Sequence, residues 1–472
     1  MDSRTIQPGR FLLSIVMGVL LLASAYPAQA DGEARNIILM ISDGQGFNTM
    51  KTTDFFTGAP GVYESFDIKG SMNTSSAGVS GGYVGAPYDP VKMWADFNNQ
   101  KSGATDSASA ATAMYAGVKI FDNQINKTTS GADLTTFFEI AANQGKATGA
   151  VSTVNFDHAT PAAVVANTTN RNDYTTITSQ MIASKLDVIM GAGNPNYDNN
   201  NQPVPPNYGI VGTQANWNAI TSGANGRTFV ETKAEFEALA NGTMNTNRVF
   251  GVAQVRDTIQ DSRTGAPGAP FNANVPNLTT MTRAALNVLD NTANGFAVMI
   301  EGGAVDWANH ANGLRRSIDE QVDFNNAVQY IVDYLDASTN GNNWGNTLLI
   351  VTADHETGAL WGPAKGVFNQ VADNGAGNLP GAAYNSGSHT NSLVPFFAKG
   401  ADADLFLQYL TGFDPNMAKM YGIAADFNRY IDNTDIFKVM SEANAPVPEP
   451  TTMLLLGMGL VGLARFGRKN LK

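Results

Sequence analysis

Four histidines occur in this chain of 472 residues, and each lies in a short segment that also carries carboxylate or hydroxyl side chains. The segments are Asp157-His158-Ala159-Thr160, Asp306-Trp307-Ala308-Asn309-His310, Asp354-His355-Glu356-Thr357 and Ser388-His389-Thr390. Imidazole and carboxylate groups are zinc ligands, and the remaining carboxylate and hydroxyl groups suit a harder cation. Asp306 and His310 stand four residues apart, which on a helix places both on one face. The pattern predicts a metal-dependent hydrolase.

Ser107 is the candidate nucleophile, in the alanine-rich segment 104–113. A hydroxyl that opens a helix lies where backbone N–H groups and the helix dipole favour an alkoxide or a phosphate. The same position also fits an ordinary helix N-cap, and Asp106 fits a cap equally well. Asp43 follows an apolar run and could likewise only cap a turn. Residue type alone leaves these alternatives open, as it leaves a structural or surface role open for each single histidine.

Apolar runs stand next to most of these residues and predict the strands that position them. Run 36–42 leads to Asp43, run 147–152 leads to His158, run 296–300 ends at Glu301, run 347–352 leads to Asp354, and run 393–397 follows His389. Segments 105–117 and 314–335 predict helices between them. Since ligands gather at the carboxyl ends of strands in an α/β sheet, one site is expected along one sheet edge. The predicted fold is a three-layer α/β/α sandwich around a mostly parallel central sheet.

The domain organisation follows from the two ends and two biased stretches. Arg10, the apolar run 11–23 and Ala28-Gln29-Ala30 predict a signal peptide over residues 1–30 and export across the inner membrane. Residues 31–446 are expected to form one catalytic domain. Two stretches rich in Asn, Gly and Pro, near 191–226 and 361–388, predict long irregular insertions that act as lids or surface excursions.

The C-terminal tail, 447–472, joins Pro448-Glu449-Pro450 to an apolar run 451–464 and a basic end. It resembles the PEP-CTERM sorting signals of Gram-negative bacteria, which implies an exosortase-type partner and a periplasmic, cell-surface or extracellular destination. The alternative is an ordinary transmembrane anchor, although the run is shorter than the roughly 20 residues that span a bilayer. In either case, the basic residues stay on the cytoplasmic side.

Composition excludes several classes of protein. With 43% hydrophobic and 15% charged residues, the chain can bury a large core. The absence of cysteine removes disulfides, thiolate ligands and cysteine nucleophiles. A net charge of −12 argues against a nucleic-acid-binding surface. None of the glycine clusters, including Gly44-Gln45-Gly46, forms a Walker loop.

The chain resembles the alkaline phosphatases from about residue 36 to residue 437. Five segments agree with that family in order and character: 43–46, 105–119, 151–171, 301–310 and 352–358. His389 falls where the family's last metal ligand belongs. The resemblance implies hydrolysis of phosphate monoesters through a phosphoserine on Ser107, with two Zn²⁺ and one Mg²⁺, in a protein that is commonly a homodimer.

The resemblance also implies the role of each site residue. Asp306, His310 and His389 would hold the first zinc, and Asp43, Asp354 and His355 the second. Asp43 would also contact the magnesium together with Thr160 and Glu301. Arg171 would bind two phosphate oxygens with its guanidinium fork.

Two positions depart from the enterobacterial pattern of the family, which has an aspartate and a lysine where this chain has His158 and Trp307. An imidazole beside the third ion puts magnesium affinity in doubt, since zinc could compete there. We expect His158 to act on that ion through water, and the loss of the lysine cation to speed phosphate release. A phosphodiesterase or sulfatase-like relative, and a metal-binding matrix component without turnover, are the alternative functions.

Overall fold

The computed structural model describes residues 34–444. The expected signal peptide and sorting tail lie outside these residues. Within the described part of the chain, no helix is long and apolar enough to cross a membrane. The tail that the sequence predicts to be transmembrane is not among the described residues.

The strands, in chain order, are β1 (Asn36–Ser42), β2 (Ile68–Asn73), β3 (Ala147–Asn155), β4 (Val188–Ala192), β5 (Thr228–Val230), β6 (Val249–Val252), β7 (Phe296–Gly302), β8 (Thr347–Thr352), β9 (Glu356–Thr357), β10 (Leu360–Trp361), β11 (Ala383–Tyr384), β12 (His389–Thr390), β13 (Val394–Gly400), β14 (Gly412–Phe413) and β15 (Arg429–Asp432). The α-helices are α1 (Phe47–Thr57), α2 (Phe97–Lys101), α3 (Ser107–Ala116), α4 (Phe137–Asn143), α5 (Ala159–Ala162), α6 (Tyr174–Ala183), α7 (Gln214–Thr221), α8 (Lys233–Ala240), α9 (Leu278–Leu289), α10 (Ala304–His310), α11 (Leu314–Asp336), α12 (Met417–Tyr421) and α13 (Thr434–Ala443).

One eleven-stranded sheet runs through the molecule in the order β14-β15-β2-β13-β8-β1-β7-β3-β4-β6-β5. From β8 to β5 every neighbouring pair is parallel. Strand β13 is antiparallel to both of its neighbours. The sheet is therefore mixed and mostly parallel, which confirms the predicted fold class.

Both faces of the central strands are buried, which explains their continuous apolar runs. In β1, Ile38 and Met40 pack into one core cluster, and Ile37, Leu39 and Ile41 pack into the other. Helix α11 covers the first face through residues such as Phe324, and helices α3 and α13 cover the second. The sheet thus lies between two helical layers.

The prediction of irregular structure was wrong for part of residues 191–226. Thr213 caps a helix by accepting a hydrogen bond from the Asn216 N–H, and α7 follows it. Trp217 and Ile220 form the buried face of this helix. Residues 361–388 are mostly irregular, as predicted. The strand residues in this stretch are Trp361 of β10 and Ala383–Tyr384 of β11, which pair with each other.

Candidate active site

The predicted site residues come together at the carboxyl ends of four neighbouring strands, β8, β1, β7 and β3. Asp43 follows β1, Glu301 lies near the end of β7, and Asp354 lies two residues beyond β8. Thr160 is in α5, shortly after β3. Parallel strands present these ends at one edge, so residues far apart in sequence meet there.

Asp306, His310 and His389 converge on one point. The Nε2 atoms of the two imidazoles lie 3.0 Å apart. The Asp306 carboxylate is 3.3 Å from His310 Nε2 and 3.5 Å from His389 Nε2. The opposite ring nitrogens, Nδ1, each lie 2.8 Å from a backbone carbonyl, of Gly387 and Thr105 respectively. When Nδ1 carries the proton for that bond, the two Nε2 lone pairs face each other, an arrangement that a cation between them would stabilise.

A second group contains Asp43, Asp354 and His355, whose ligand atoms all lie within 4.8 Å of one another. His355 Nε2 is 3.2 Å from Asp354 Oδ2 and 3.6 Å from Asp43 Oδ1. The ligand atoms of Asp306, His355 and His389 also fall within 4.8 Å. His355, a member of the second set, is therefore also close to the first set. The two predicted zinc sets form one continuous cluster.

Several oxygens at the site are buried without a hydrogen-bond partner among the described residues. They are both carboxylate oxygens of Asp43, Asp354 Oδ2, Glu301 Oε1 and Thr160 Oγ1. Burial, followed by the charges of Asp354 and Asp306, raises the pKa of Asp43 well above its ordinary value. Burial also raises the pKa of Glu301 to about 7. Unpaired buried carboxylates are costly unless a cation compensates them, so these donors fit bound metal ions.

Asp306 raises the pKa of both imidazoles of the first set. Burial opposes a charge on His389, but the hydrogen bond and charge of Asp306 raise its pKa to about 9. The same carboxylate raises the pKa of His310. Burial works against the Asp306 carboxylate, yet its bonds to both imidazoles hold its pKa well below the ordinary range. Positive charge, as proton or metal, is favourable at this point.

Ser107 is the first residue of α3 and is buried beside the second set. Its Oγ lies 3.2 Å from His355 Nε2. The N-cap is Asp106, whose side chain accepts a hydrogen bond from the Ser109 N–H. Asp106, and not Ser107, is therefore the N-cap of α3. The Ser107 hydroxyl faces the imidazole and carboxylate cluster instead.

Arg171 is held by Asp106, the residue before Ser107. Its Nη1 donates to Asp106 Oδ2 at 2.8 Å, and its Nη2 lies 3.4 Å from His158 Nε2. Burial and the Arg171 charge lower the pKa of His158 to about 3, so this imidazole is neutral. The rings of His158 and Trp307 meet edge to face with centroids 5.9 Å apart. A neutral imidazole and an indole thus form the wall beside the guanidinium.

One open cavity of about 630 Å³ joins these groups. Its lining residues are Ser107, His158, Arg171, Asp306, Trp307, His310, Ala311 and His389. The hydroxyl, the guanidinium and the first imidazole–carboxylate set therefore reach the same open cavity. An anionic substrate in the cavity would meet all three.

Sequence reasoning assigned no role to two hydroxyls that hold the predicted ligands. Thr357 Oγ1 donates to Asp306 Oδ1 at 2.5 Å and also contacts His355 Nδ1. Ser152 donates to Glu301 Oε2, and the two residues are paired across β3 and β7. Thr357 could have been found from its place two residues after His355. Ser152 required the strand pairing, which a single sequence does not provide.

Comparison with known proteins identifies the family of the chain. A family model for alkaline phosphatase matches residues 34–374, which is well over half of the chain. The chain belongs to the alkaline phosphatase family. A PEP-CTERM protein-sorting motif matches residues 446–469, which confirms the resemblance of the tail. His389 lies beyond the matched range of the family model.

Characterised alkaline phosphatases are similar over most of the chain. Alkaline phosphatase 4 of Bacillus subtilis is 29% identical over 362 residues, 73% of this chain and 66% of that protein. Alkaline phosphatase 3 of the same organism is 27% identical over 354 residues, 72% of this chain and 65% of that protein. This chain thus aligns with slightly less than two thirds of either Bacillus protein. The alkaline phosphatase of Escherichia coli is 29% identical, over 69% of this chain and 71% of that protein.

Solved alkaline phosphatase structures share the fold. The enzyme from the Antarctic bacterium TAB5 superposes with a TM-score of 0.60 at 25% identity, over 88% of this chain and 98% of that one. The Thermus thermophilus enzyme superposes with a TM-score of 0.62 at 19% identity, over 93% and 95% of the two chains. A variant of the Antarctic enzyme in which a histidine is replaced by aspartate was solved with Mg bound.

Proposed function

We propose that this chain hydrolyses phosphate monoesters to an alcohol and inorganic phosphate, with Ser107 as the nucleophile. The observation that carries the proposal is the position of the Ser107 hydroxyl. It opens helix α3 within 3.2 Å of His355 Nε2, in a cavity that Arg171 and the imidazole–carboxylate cluster also line. A phosphate ester in this cavity would meet a nucleophile, a cation and a helix N-terminus at once.

The metal centre of the proposal contains two Zn²⁺ and one Mg²⁺. Asp306, His310 and His389 would hold one zinc ion, Asp43, Asp354 and His355 the other, and Asp43 with Thr160 and Glu301 the magnesium ion. The unpartnered oxygens of the second and third sets support this assignment. When bound, such ions lower the pKa of a hydroxyl ligand and stabilise the negative charge of a leaving oxygen.

The residues of the chain perform the following steps. The Ser107 hydroxyl loses its proton and its oxygen attacks phosphorus, while the bond to the leaving oxygen breaks and that oxygen takes up a proton as the alcohol; a phosphoserine forms. Water then attacks the phosphoserine, and Ser107 Oγ leaves as phosphate forms. Arg171, held by Asp106 at 2.8 Å, presents its remaining N–H groups to two oxygens of the transferred group. The N–H groups at the start of α3 favour the same negative charge, so the phosphoryl group is stabilised on two sides.

His158 and Trp307 modify this reaction in the proposal. The neutral His158 ring lies against Arg171 and adds no negative charge near the third ion, so zinc competes with magnesium there. Trp307 supplies no cation to phosphate, which favours product release. His158→Asp should increase the magnesium response of the purified protein. Trp307→Lys should lower the phosphate inhibition constant.

The PEP-CTERM motif marks the protein for export and surface sorting. We further propose cleavage after Ala30, recognition of the tail from Pro448 onward by an exosortase-type enzyme, and a catalytic domain over residues 31–446. A homodimer is part of the same proposal, by analogy with the family. Light scattering of the purified mature protein tests the dimer.

The substrate class is tested by three chromogenic esters, a phosphate monoester, a phosphate diester and a sulfate ester, each with and without a metal chelator. The proposal predicts rapid hydrolysis of the monoester alone, lost on chelation. Preference for the diester or sulfate ester would favour the relatives with those activities. Metal binding without hydrolysis of any ester would indicate a matrix component.

A further inference from the structure

The turn after β1 is packed directly against helix α10, which carries Asp306 and His310. Gly44 has φ +75°, and a Cβ placed on it would lie 2.7 Å from Asp306 Cα. The Gly44 N–H donates to Asp354 Oδ1 at 3.1 Å, and its carbonyl accepts from the Thr357 N–H at 3.1 Å. The position of this one glycine therefore couples Asp43 and Asp354 to Asp306.

Asn309 holds the same turn from the side of helix α10. It lies between Asp306 and His310, is fully buried, and donates from Nδ2 to the Gly44 carbonyl at 3.2 Å. A carboxamide can rotate and present its oxygen instead, so its orientation needs a second partner. That partner is the Tyr384 hydroxyl, which donates to Asn309 Oδ1 at 2.8 Å. The Gly44 carbonyl can only accept, so it selects the amide nitrogen of Asn309, and the Tyr384 hydroxyl holds the amide oxygen at the other end.

Tyr384 comes from the Asn-rich insertion 361–388 and is held there by close packing. It lies in β11, opposite Leu360 of β10. A Cβ on Gly358 would meet the Tyr384 ring at 2.5 Å, so the ring fills the space that this glycine leaves. The next residues of the insertion bring the Gly387 carbonyl to within 2.8 Å of His310 Nδ1. The insertion thus reaches the metal cluster at two points.

We propose that Tyr384 and Asn309 are positioning residues that hold the ligands of both zinc ions in register. This inference rests on the metal centre proposed above, and it gives the insertion 361–388 a role in metal retention. Neither side chain lines the cavity that Ser107 and Arg171 share. Their effect is on the geometry between Asp43, Asp306 and Asp354, and hence on how firmly zinc is held.

The test measures zinc release from the full-length mature protein into a colorimetric chelator, for wild type, Tyr384→Phe, Asn309→Ala and the double variant. Tyr334→Phe is the matched control. Tyr334 is 6% exposed and Tyr384 is 7% exposed, and the Tyr334 hydroxyl also makes buried hydrogen bonds, with Asn342 and Asp290. Asn342 in turn contacts Asn36 at the amino end of β1, whereas Asp43 of the site follows the carboxyl end of the same strand.

Release from Tyr384→Phe should be about tenfold faster than from wild type, the usual effect of an outer-shell substitution. Tyr334→Phe should release zinc at the wild-type rate. Because Tyr384 acts through Asn309, the double variant should be no faster than the faster single variant. Equal release rates for Tyr384→Phe and Tyr334→Phe would overturn this inference but not the proposed metal centre. A wild-type protein that retains no zinc would overturn the proposed metal centre and the inference together.

Discussion

Each imidazole of the candidate centre is oriented by the partner of its Nδ1 atom. His310 and His389 use backbone carbonyls, and His355 Nδ1 lies 3.2 Å from the Thr357 hydroxyl. All three Nε2 atoms therefore point toward the carboxylates. Backbone partners cannot rotate away, which keeps the ligands in place before a metal binds. At the level of single residues, the site is preorganised.

Arg171 should contribute its fork geometry and not only its charge. In Arg171→Lys the cation remains but the paired N–H donors are lost. The inhibition constant of inorganic phosphate should rise about tenfold or more, since a hydrogen bond to a charged group contributes about 1.5–3 kcal/mol. Arg256→Lys, at a partly exposed pair with Asp257, is the control and should not change it. An unchanged constant in Arg171→Lys would show that Arg171 does not bind phosphate.

Asp157 should make stability depend on pH. Its carboxyl group is fully buried and accepts from Thr178 Oγ1 at 2.6 Å, and burial raises its pKa from 3.8 to about 7. The folded protein therefore binds this proton more tightly than the unfolded chain. The stabilisation that comes from binding this proton is fully present below about pH 4 and is lost as pH rises through about 7.

Asp157→Asn has no ionisable group at this position. Its free energy of unfolding, relative to that of wild type, should therefore increase by about 2–3 kcal/mol between pH 5 and pH 8. Denaturant unfolding at the two pH values measures the difference. The exposed Asp67→Asn is the control, with no such growth expected. A constant difference between Asp157→Asn and wild type would contradict the buried proton.

At the scale of elements, the turn that joins β1 to α1 determines how closely the two zinc sets approach. Gly44→Ala places a Cβ 2.7 Å from Asp306 Cα in a left-handed backbone conformation. Gly242→Ala is the matched control, because Gly242 has φ +74° and no atom within 4 Å of its added Cβ. Both variants should lose about 1–2 kcal/mol of stability from the left-handed backbone conformation. Gly44→Ala should lose more, because its Cβ would also overlap Asp306. Only Gly44→Ala should also lose bound zinc, measured by metal analysis, and equal zinc contents would refute the role of the turn.

The elements that the sequence predicts well are those whose signal is local. The predicted bounds of β1 and β8 agree with the structure because both strands are continuous apolar runs buried on two faces. Helix α7 was missed because the Asn-rich composition around it concealed the spacing of Trp217 and Ile220. The contact between Tyr384 and Asn309 joins residues 75 apart in sequence, and neither residue type nor periodicity indicates it.

For the whole molecule, the main electrostatic feature is a group of buried carboxyl groups, which repel one another when they ionise. Asp43, Glu301, Asp306 and Asp354 are each at most 5% exposed and meet at one edge of the sheet. The chain as a whole carries a net charge of −12. Cations that bind only the folded protein would offset this repulsion and add to its stability.

Removing the metals should therefore lower the melting temperature. A ligand present at 100 times its dissociation constant adds about 2.7 kcal/mol to folding stability. Differential scanning fluorimetry of the mature protein with and without chelator measures the change, and added zinc and magnesium should restore the original value. Ser107→Ala should show the same shift, since its ligand sets are intact. A melting temperature that is the same with and without chelator would mean that the carboxylates hold no metal.

Capture of the phosphorylated enzyme tests the central proposal, phosphoryl transfer through Ser107, most directly. Wild type and Ser107→Ala, both loaded with zinc and magnesium, are mixed with excess phosphate monoester, quenched in acid and digested for mass spectrometry. The wild-type peptide that contains Ser107 should gain one phosphoryl group, and the variant should gain none while keeping its metal content. Turnover of Ser107→Ala at the wild-type rate, or a phosphoryl group on another residue, would contradict the proposed mechanism.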